Sequence, residues 1–364
     1  MPIAPVDNNG NHLYYEDSGV PANSSNYKTL VLTHGAIFNG GIFQRLNQYA
    51  AENNLRLVFL NHRDVSGSTL FTPEELAVVK DSSNQDAQYA FLEERVREFA
   101  EFMRWFVETE KIPRRNEDGS GGISFLGWSA GNCFTVPFLG IADSFREATV
   151  DVLNDYLRNV IVFDSPYFGF GIPNPSVDEI YCPIYDTTLT PAEQSERFPG
   201  WNASYYNHSP ELLACFQSTS LKGFPTRDDM LKGIGQHPDP EHTCTLHVIP
   251  PEILKDVADF AANERSILPI SHMRTDVYRK FADKAFLETP KVWPNAKFEV
   301  VTNGKTLGHC LGANWELKKY LLDNTEIREK AKARQVNFTV LKDYNHYPHW
   351  DYPEEFAKFL GGKA

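Results

Sequence analysis

The sequence has no run of 18 apolar residues, which excludes a membrane-spanning helix built from one continuous hydrophobic stretch. It is short of positive charge. Lys and Arg number 35 against 48 Asp and Glu, giving a net charge of −13. An acidic surface repels nucleic acid and anionic membrane, so neither is expected as a partner. Cysteine is sparse. Cys133, Cys182, Cys215, Cys244 and Cys310 are odd in number and match no zinc or redox spacing. They are expected as free thiols in a reducing compartment, with no metal. The opening Met-Pro-Ile-Ala-Pro has neither a basic start nor an apolar core, so no secretory leader is expected and the location is read as cytoplasmic. Internal repeats and low-complexity tracts are absent. Asn-x-Ser/Thr occurs at Asn23, Asn202, Asn207 and Asn337. Asn337 falls in an expected core strand, where no glycan would fit, so these read as chance matches.

What is present is 41% hydrophobic residues in a chain of 364, enough for one large domain with an insertion. Short apolar runs alternate with helical patterns. His12 to Asp17 reads as a first strand, and Thr29 to Thr33 as one buried on both faces. Further strands are expected at 55–60, 123–126, 159–163, 297–301 and 336–341. Helical spacing falls between them at 42–53, 86–110, 145–157, 315–322 and 325–334, and from Pro353 to the end. This alternation predicts an α/β fold with a mostly parallel central sheet flanked by helices. Residues 169–287 break the rhythm with many Pro, short helical patterns and no confident strand. They read as a helical lid inserted into a core of 1–168 and 288–364. Ligands in such sheets bind at the C-terminal ends of the strands.

One stretch organises the chain. Ile123 to Leu126 is a strand, Gly127-Trp128-Ser129-Ala130-Gly131 follows at once, and Cys133 to Ile141 can start a helix. Strand, Gly-x-Ser-x-Gly and helix together make a nucleophile elbow, in which a strained Ser presents its hydroxyl beyond the strand. Gly-x-Ser-x-Gly alone is a weak signal, and its plain alternative is a Ser in a Gly-rich turn. A Ser nucleophile needs a base held by a carboxylate. In elbow proteins the base follows the last strand. There the sequence offers His346, with His349 as its rival. The loop after the preceding strand, 302–315, contains no Asp or Glu. The acid is therefore assigned to Asp164, at the end of the strand after the elbow helix. A turn-capping role is its alternative. Asp343 is too close in sequence to His346 to be preferred.

An oxyanion hole needs two backbone donors. Ala130 supplies one, and the loop opening His34-Gly35 supplies the other from Ala36 or Ile37, with Ala36 taken. His34 itself is read as bracing that loop. Ile37, Phe38, Trp128, Tyr167 and Phe168 flank these positions and would give an aromatic substrate pocket, unless they are simply core.

With His34-Gly35, the 127–131 elbow, Asp164 and His346 in this order, the chain resembles the α/β-hydrolase superfamily over nearly its whole length except the lid. More narrowly, Asn61-His-Arg-Asp-Val-Ser-Gly-Ser-Thr69, Gly127-Trp-Ser-Ala-Gly131 and Asn345-His-Tyr-Pro-His-Trp350 look like a group of fungal α/β-hydrolases of little-characterised function. The placement of the acid is also similar to that of zearalenone lactonase-like enzymes and some haloalkane dehalogenases. Dehalogenases and epoxide hydrolases use an Asp nucleophile, and Ser129 argues against both. The resemblance implies a cofactor-free serine hydrolase of a bulky apolar ester or lactone. It equally allows a C–C lyase, cyclase or acyltransferase on the same residues, or a ligand-binding receptor. Lids of this kind often take part in homodimers. One departure is the 35 residues between Ser129 and Asp164, which an extra helix near 145–157 would absorb.

Overall fold

The computed structural model describes residues 2–364. Eight strands form one sheet: β1 (Ile3–Pro5), β2 (His12–Asp17), β3 (Lys28–Thr33), β4 (Leu55–Leu60), β5 (Ile123–Trp128), β6 (Leu157–Phe163), β7 (Lys297–Asn303) and β8 (Val336–Leu341). Their order is β1-β2-β4-β3-β5-β6-β7-β8. β2 pairs antiparallel with both β1 and β4, and the remaining pairs, from β4–β3 to β7–β8, are parallel. After β3 the chain steps to β4 on one side and then crosses to β5 on the other. The C-terminal ends of β3 and β5 therefore diverge at a switch point, where loops leave a crevice.

Side chains alternate across the pleat, and the sheet sorts them into two cores. Val31, Val58, Phe125, Val160 and Val162 face one side. Leu30, Leu32, Phe59, Leu126, Trp128 and Phe163 face the other. Helices cover the first side: α1 (Gln85–Glu110), α2 (Asn132–Gly140), α3 (Glu147–Asn154), α4 (Thr275–Leu287) and α5 (Gly308–Asp323). The second side is closed by the 3-10 and α turns of 40–53 and by α6 (Pro353–Lys363). α1 starts where Asn84 accepts a hydrogen bond from the Ala87 amide at 3.0 Å, and it stops at Lys111 in the left-handed region. Its Phe91, Phe99, Phe102 and Phe106 are buried, and burial of each such side chain stabilises by about 1.5–3 kcal/mol. α3 and the 3-10 turn before it lie in the long Ser129 to Asp164 connection.

Between β6 and β7 there is no strand among the described residues. Most helices here are short, and two start on Pro after a capping Thr or Ser, at Thr190-Pro191 and Ser209-Pro210. The last helix of the expected lid range, α4, packs on α2 as part of the core layer. A Cβ on Gly140 of α2 would lie 2.6 Å from the Phe281 carbonyl oxygen, and Phe281 stacks on Tyr89 of α1 at 4.2 Å. β1 was not expected; its three residues pair through their backbone and carry little pattern. β8 is an edge strand, half-buried throughout, rather than the core strand expected. Asn337 on it donates to Glu299 Oε1 at 2.6 Å. No helix among the described residues is long and apolar enough to cross a membrane. All five cysteines are free.

Candidate active site

β5 delivers Ser129 through a turn that only glycines permit. Ser129 has φ 54°, a left-handed backbone that costs a non-Gly residue roughly 1–2 kcal/mol. A Cβ on Gly127 would lie 2.6 Å from Thr135 Cγ2, and one on Gly131 would lie 2.8 Å from the His34 carbonyl oxygen. Across the crevice, a Cβ on Gly35 would meet Ser129 Cβ at 2.8 Å. The loop after β3 and the turn after β5 thus pack backbone against side chain. Asn132, at the head of α2, bonds the carbonyls of Ser129 and Phe163, both at 3.0 Å. It ties the elbow to the end of β6. Asn132 was not singled out from sequence; its signal is a polar residue inside an otherwise apolar elbow helix.

β6 ends in Asp164, fully buried at φ 49°. Its Oδ2 lies 2.5 Å from His346 Nδ1. The same oxygen accepts from Thr306 Oγ1 at 2.5 Å, and Oδ1 accepts from the Asn303 amide at 3.2 Å. The loop after β7, which has no acid of its own, therefore supplies donors to the acid of the neighbouring strand. His346 is also fully buried, and with Nδ1 committed its Nε2 has no protein partner. A ring that donates from Nδ1 presents a lone pair at Nε2, the state a general base requires. Cys310 Sγ lies 4.0 Å from His346 Nδ1. The ligand atoms of Asp164, Cys310 and His346 fall within 4.8 Å of one another, but a metal there would have to break the Asp164–His346 hydrogen bond. Burial pushes the Cys310 thiol up, keeping it protonated.

His349 takes no part in this pair. It is packed between Phe43 and Trp128, with ring centroids 4.9 and 4.5 Å away, and burial holds it neutral. His34 donates from Nδ1 to the Gly35 carbonyl at 3.0 Å, accepts the His62 amide at Nε2 at 3.3 Å, and stacks on the His62 ring at 3.9 Å. Burial pushes it down to about 4. The Gly35 carbonyl shares a peptide plane with the Ala36 N–H, so His34 fixes that plane. Of the two donors weighed for this loop, the Ile37 N–H is already given to Asn263 Oδ1 at 2.9 Å. Ala36 and Ala130 line the same cavity as Ser129.

That cavity differs from the expected pocket. Phe168 lines it, but Ile37, Phe38, Trp128 and Tyr167 do not. Trp128 closes β5 on the inward pleat, where its Nε1 donates to the His346 carbonyl at 3.0 Å, so it braces the His346 backbone. Ile37 and Phe38 pack into the same core. Tyr167 is buried against α5, where a Cβ on Gly312 would lie 2.2 Å from its hydroxyl oxygen. The apolar wall is instead drawn from the insertion and the loop after β7: Ile184, Tyr185, Phe198, Trp201, Leu268 and Leu307. His309 joins it, pushed down to about 4 by burial.

No protein-family model and no curated protein sequence matches the chain. Solved structures do. A bromoperoxidase from Bacillus anthracis is similar with a TM-score of 0.50 at 12% identity, covering 100% of this chain and 99% of the other. An esterase from Exiguobacterium antarcticum is similar at TM-score 0.48 and 13% identity, covering 98% and 97%. Potato epoxide hydrolase I is similar at 0.49 and 12%, covering 100% and 98%. At such identities the likeness speaks to architecture. The match to the bromoperoxidase, together with the strand order, gives this chain the α/β-hydrolase fold.

Proposed function

We propose that the chain is a serine hydrolase acting on a carboxylic ester or lactone of a bulky apolar substrate. The observation that carries this reading is the buried Asp164–His346 pair, with Nδ1 held at 2.5 Å and Nε2 left free, at the sheet end where the elbow presents Ser129. In this reading His346 Nε2 takes the Ser129 proton as Oγ bonds to the substrate carbonyl carbon. The Ala36 and Ala130 amides hold the resulting oxyanion, and Asp164 stabilises the imidazolium. The C–O bond to the leaving alcohol breaks as His346 returns its proton to that oxygen, leaving an acyl-Ser129. Water then attacks, gives its proton to His346, and releases the acid and Ser129. The aromatic wall of the cavity favours a large apolar acyl or alcohol portion. Five unpaired thiols, four of them buried, suit a reducing compartment such as the cytoplasm.

The test is labelling by a fluorophosphonate together with turnover of a p-nitrophenyl ester and lactone panel. Ser129→Ala is expected to abolish labelling, and His346→Ala and Asp164→Asn to slow turnover by roughly 10³–10⁴-fold. Full labelling of Asp164→Asn would remove Asp164 from the triad. An unlabelled wild type would reject the hydrolase reading in favour of a binding protein, and labelling without hydrolysis would favour a lyase, cyclase or acyltransferase.

A further inference from the structure

The oxyanion loop contains a residue whose backbone is strained and whose restraint comes from elsewhere in the chain. Ile37 is β-branched and sits at φ 73°. That conformation is uncommon for such a residue and persists only where the surroundings hold it. Both of its backbone polar groups are held by the insertion. Its N–H donates to Asn263 Oδ1 at 2.9 Å, and its carbonyl accepts the Asp259 amide at 2.6 Å. The grip continues along the loop: Phe38 bridges Ala258, and the Asn39 amide donates to the Val257 carbonyl at 2.8 Å.

Asn263 is itself fixed. It is nine-tenths buried and opens a π-helical turn, Asn263–Ile267. Turns of that kind are rare and occur often at functional sites. Two residues on, Arg265 bonds Asp64 through Nε to Oδ2 and through Nη2 to the backbone carbonyl, both at 2.7 Å. At the N-cap of the preceding helical turn, Phe260–Ala262, the Asp259 carboxylate accepts the Ser66 amide at 3.2 Å. The turn is thus anchored to the loop after β4 while its Asn side chain reaches the loop after β3.

The geometry points to Asn263 as a positioning residue for the oxyanion hole. The Ile37 N–H belongs to the peptide plane on the C-terminal side of Ala36, and His34 fixes the plane on its N-terminal side. Asn263 supplies the second restraint. With both planes fixed, the Ala36 N–H keeps its direction into the cavity without reorganising as charge develops, which is where such donors have their effect. The same hydrogen bond removes the Ile37 N–H from competition for the substrate oxygen. The insertion therefore does more than cover the pocket: seating it completes the oxyanion hole. This inference rests on the serine-hydrolase reading.

The experiment compares wild type, Asn263→Ala and Asn263→Asp, reading fluorophosphonate labelling rate, kcat and KM on a p-nitrophenyl ester, and thermal melting. Asn263→Ala is expected to slow labelling and lower kcat by about tenfold or more while KM changes by about twofold at most. Asn263→Asp keeps an acceptor oxygen and is expected to retain several times more activity than the Ala variant. An unlabelled wild type would reject the hydrolase reading. A labelled wild type with Asn263→Ala at the same rate, or with the Asp and Ala variants equally slow, would overturn the positioning role alone. Should Asn263→Ala lose its cooperative melt, the Asp variant decides: a rate within about threefold of wild type supports the acceptor role, and a tenfold loss overturns it.

Discussion

Single residues at strand ends carry this site, and they differ in how visible they are in sequence. Ser129 and Asp164 each follow a buried strand directly, so choosing the strand chooses the residue, whereas His346 lies five residues beyond Leu341, the end of β8, and has His349 as a rival. Thr306 and Asn263 follow no such rule. Their roles depend on which loop lies beside which, and contacts across 142 and 226 positions leave no local pattern. The aromatic neighbours misled for another reason. Adjacency to Ser129 says nothing about the pleat, and Trp128 points into the core beneath α6 rather than into the cavity. Thr306 offers a measurable case. Its hydroxyl donates to a fully buried carboxylate, and hydrogen bonds to charged groups are worth about 1.5–3 kcal/mol. Thr306→Val keeps the shape and removes the donor, so chemical denaturation should show a loss of about that size, while Thr306→Ser stays within about 1 kcal/mol of wild type. Equal stability of the Val variant would mean that the Asn303 amide and His346 already satisfy Asp164.

At the level of elements, the buried strands were legible because a parallel sheet covered on both faces demands continuous apolar runs, as in Leu30-Val31-Leu32 and Leu57-Val58-Phe59-Leu60. The helix Pro73–Lys80, which is not among those expected from sequence, carries a start signal of its own: Thr72 and Glu75 form a capping box, with Pro73 at the first turn. The insertion was legible as helical and little more. Its elements run from three to twelve residues before α4, too short for periodicity to define a face, and their packing is set by the loops they grip. α4, by contrast, has a full apolar stripe of Val277, Tyr278, Phe281 and Ala285, which marks it for the core. The junction that matters most is the loop after β3 against the elbow. In Gly35→Ala the new methyl would meet Ser129 Cβ at 2.8 Å, with backbone on both sides fixed by other contacts. Moving Ser129 or Ala36 by a few tenths of an ångström would disturb the proposed nucleophile and oxyanion hole together. The fluorophosphonate labelling rate is therefore expected to fall by about a hundredfold. A labelling rate near that of wild type would show that the two loops separate freely.

Across the whole molecule, the histidines tie stability to pH in a way composition does not announce. His34 and His208 each use one ring nitrogen as donor and the other as acceptor, so both are held neutral by geometry as well as burial. His208 Nε2 donates to the Thr306 carbonyl at 2.7 Å, and its Nδ1 accepts the Gly235 amide at 3.1 Å. His34, His208 and His309 are each pushed down to about 4 from 6.5, chiefly by burial. His62 and His349 shift in the same direction. A depressed folded value means that the unfolded chain binds more protons between about 4 and 6.5. Stability is then full above 6.5 and is lost as pH falls toward 4, by on the order of 3 kcal/mol per ring at the limit. Glu98 acts oppositely. Buried beside Arg63 and Arg95, it is pushed up to about 7, so its contribution declines as pH rises from 4.5 through 7. Burial raises Glu316 and Asp351 in the same sense as Glu98, but five rings against three carboxyls leave the histidines in control of the slope. Asp239 and Glu179, held down to about 2 by their hydrogen bonds, add their losses only below that window. The urea midpoint should therefore fall steadily from pH 6.5 to pH 4.5, well before the carboxylates of the acidic surface are fully protonated. A midpoint that holds constant or rises over that interval would mean that these rings take up protons in the folded state, and the hydrogen bonds of His34 and His208 would have to be reassigned.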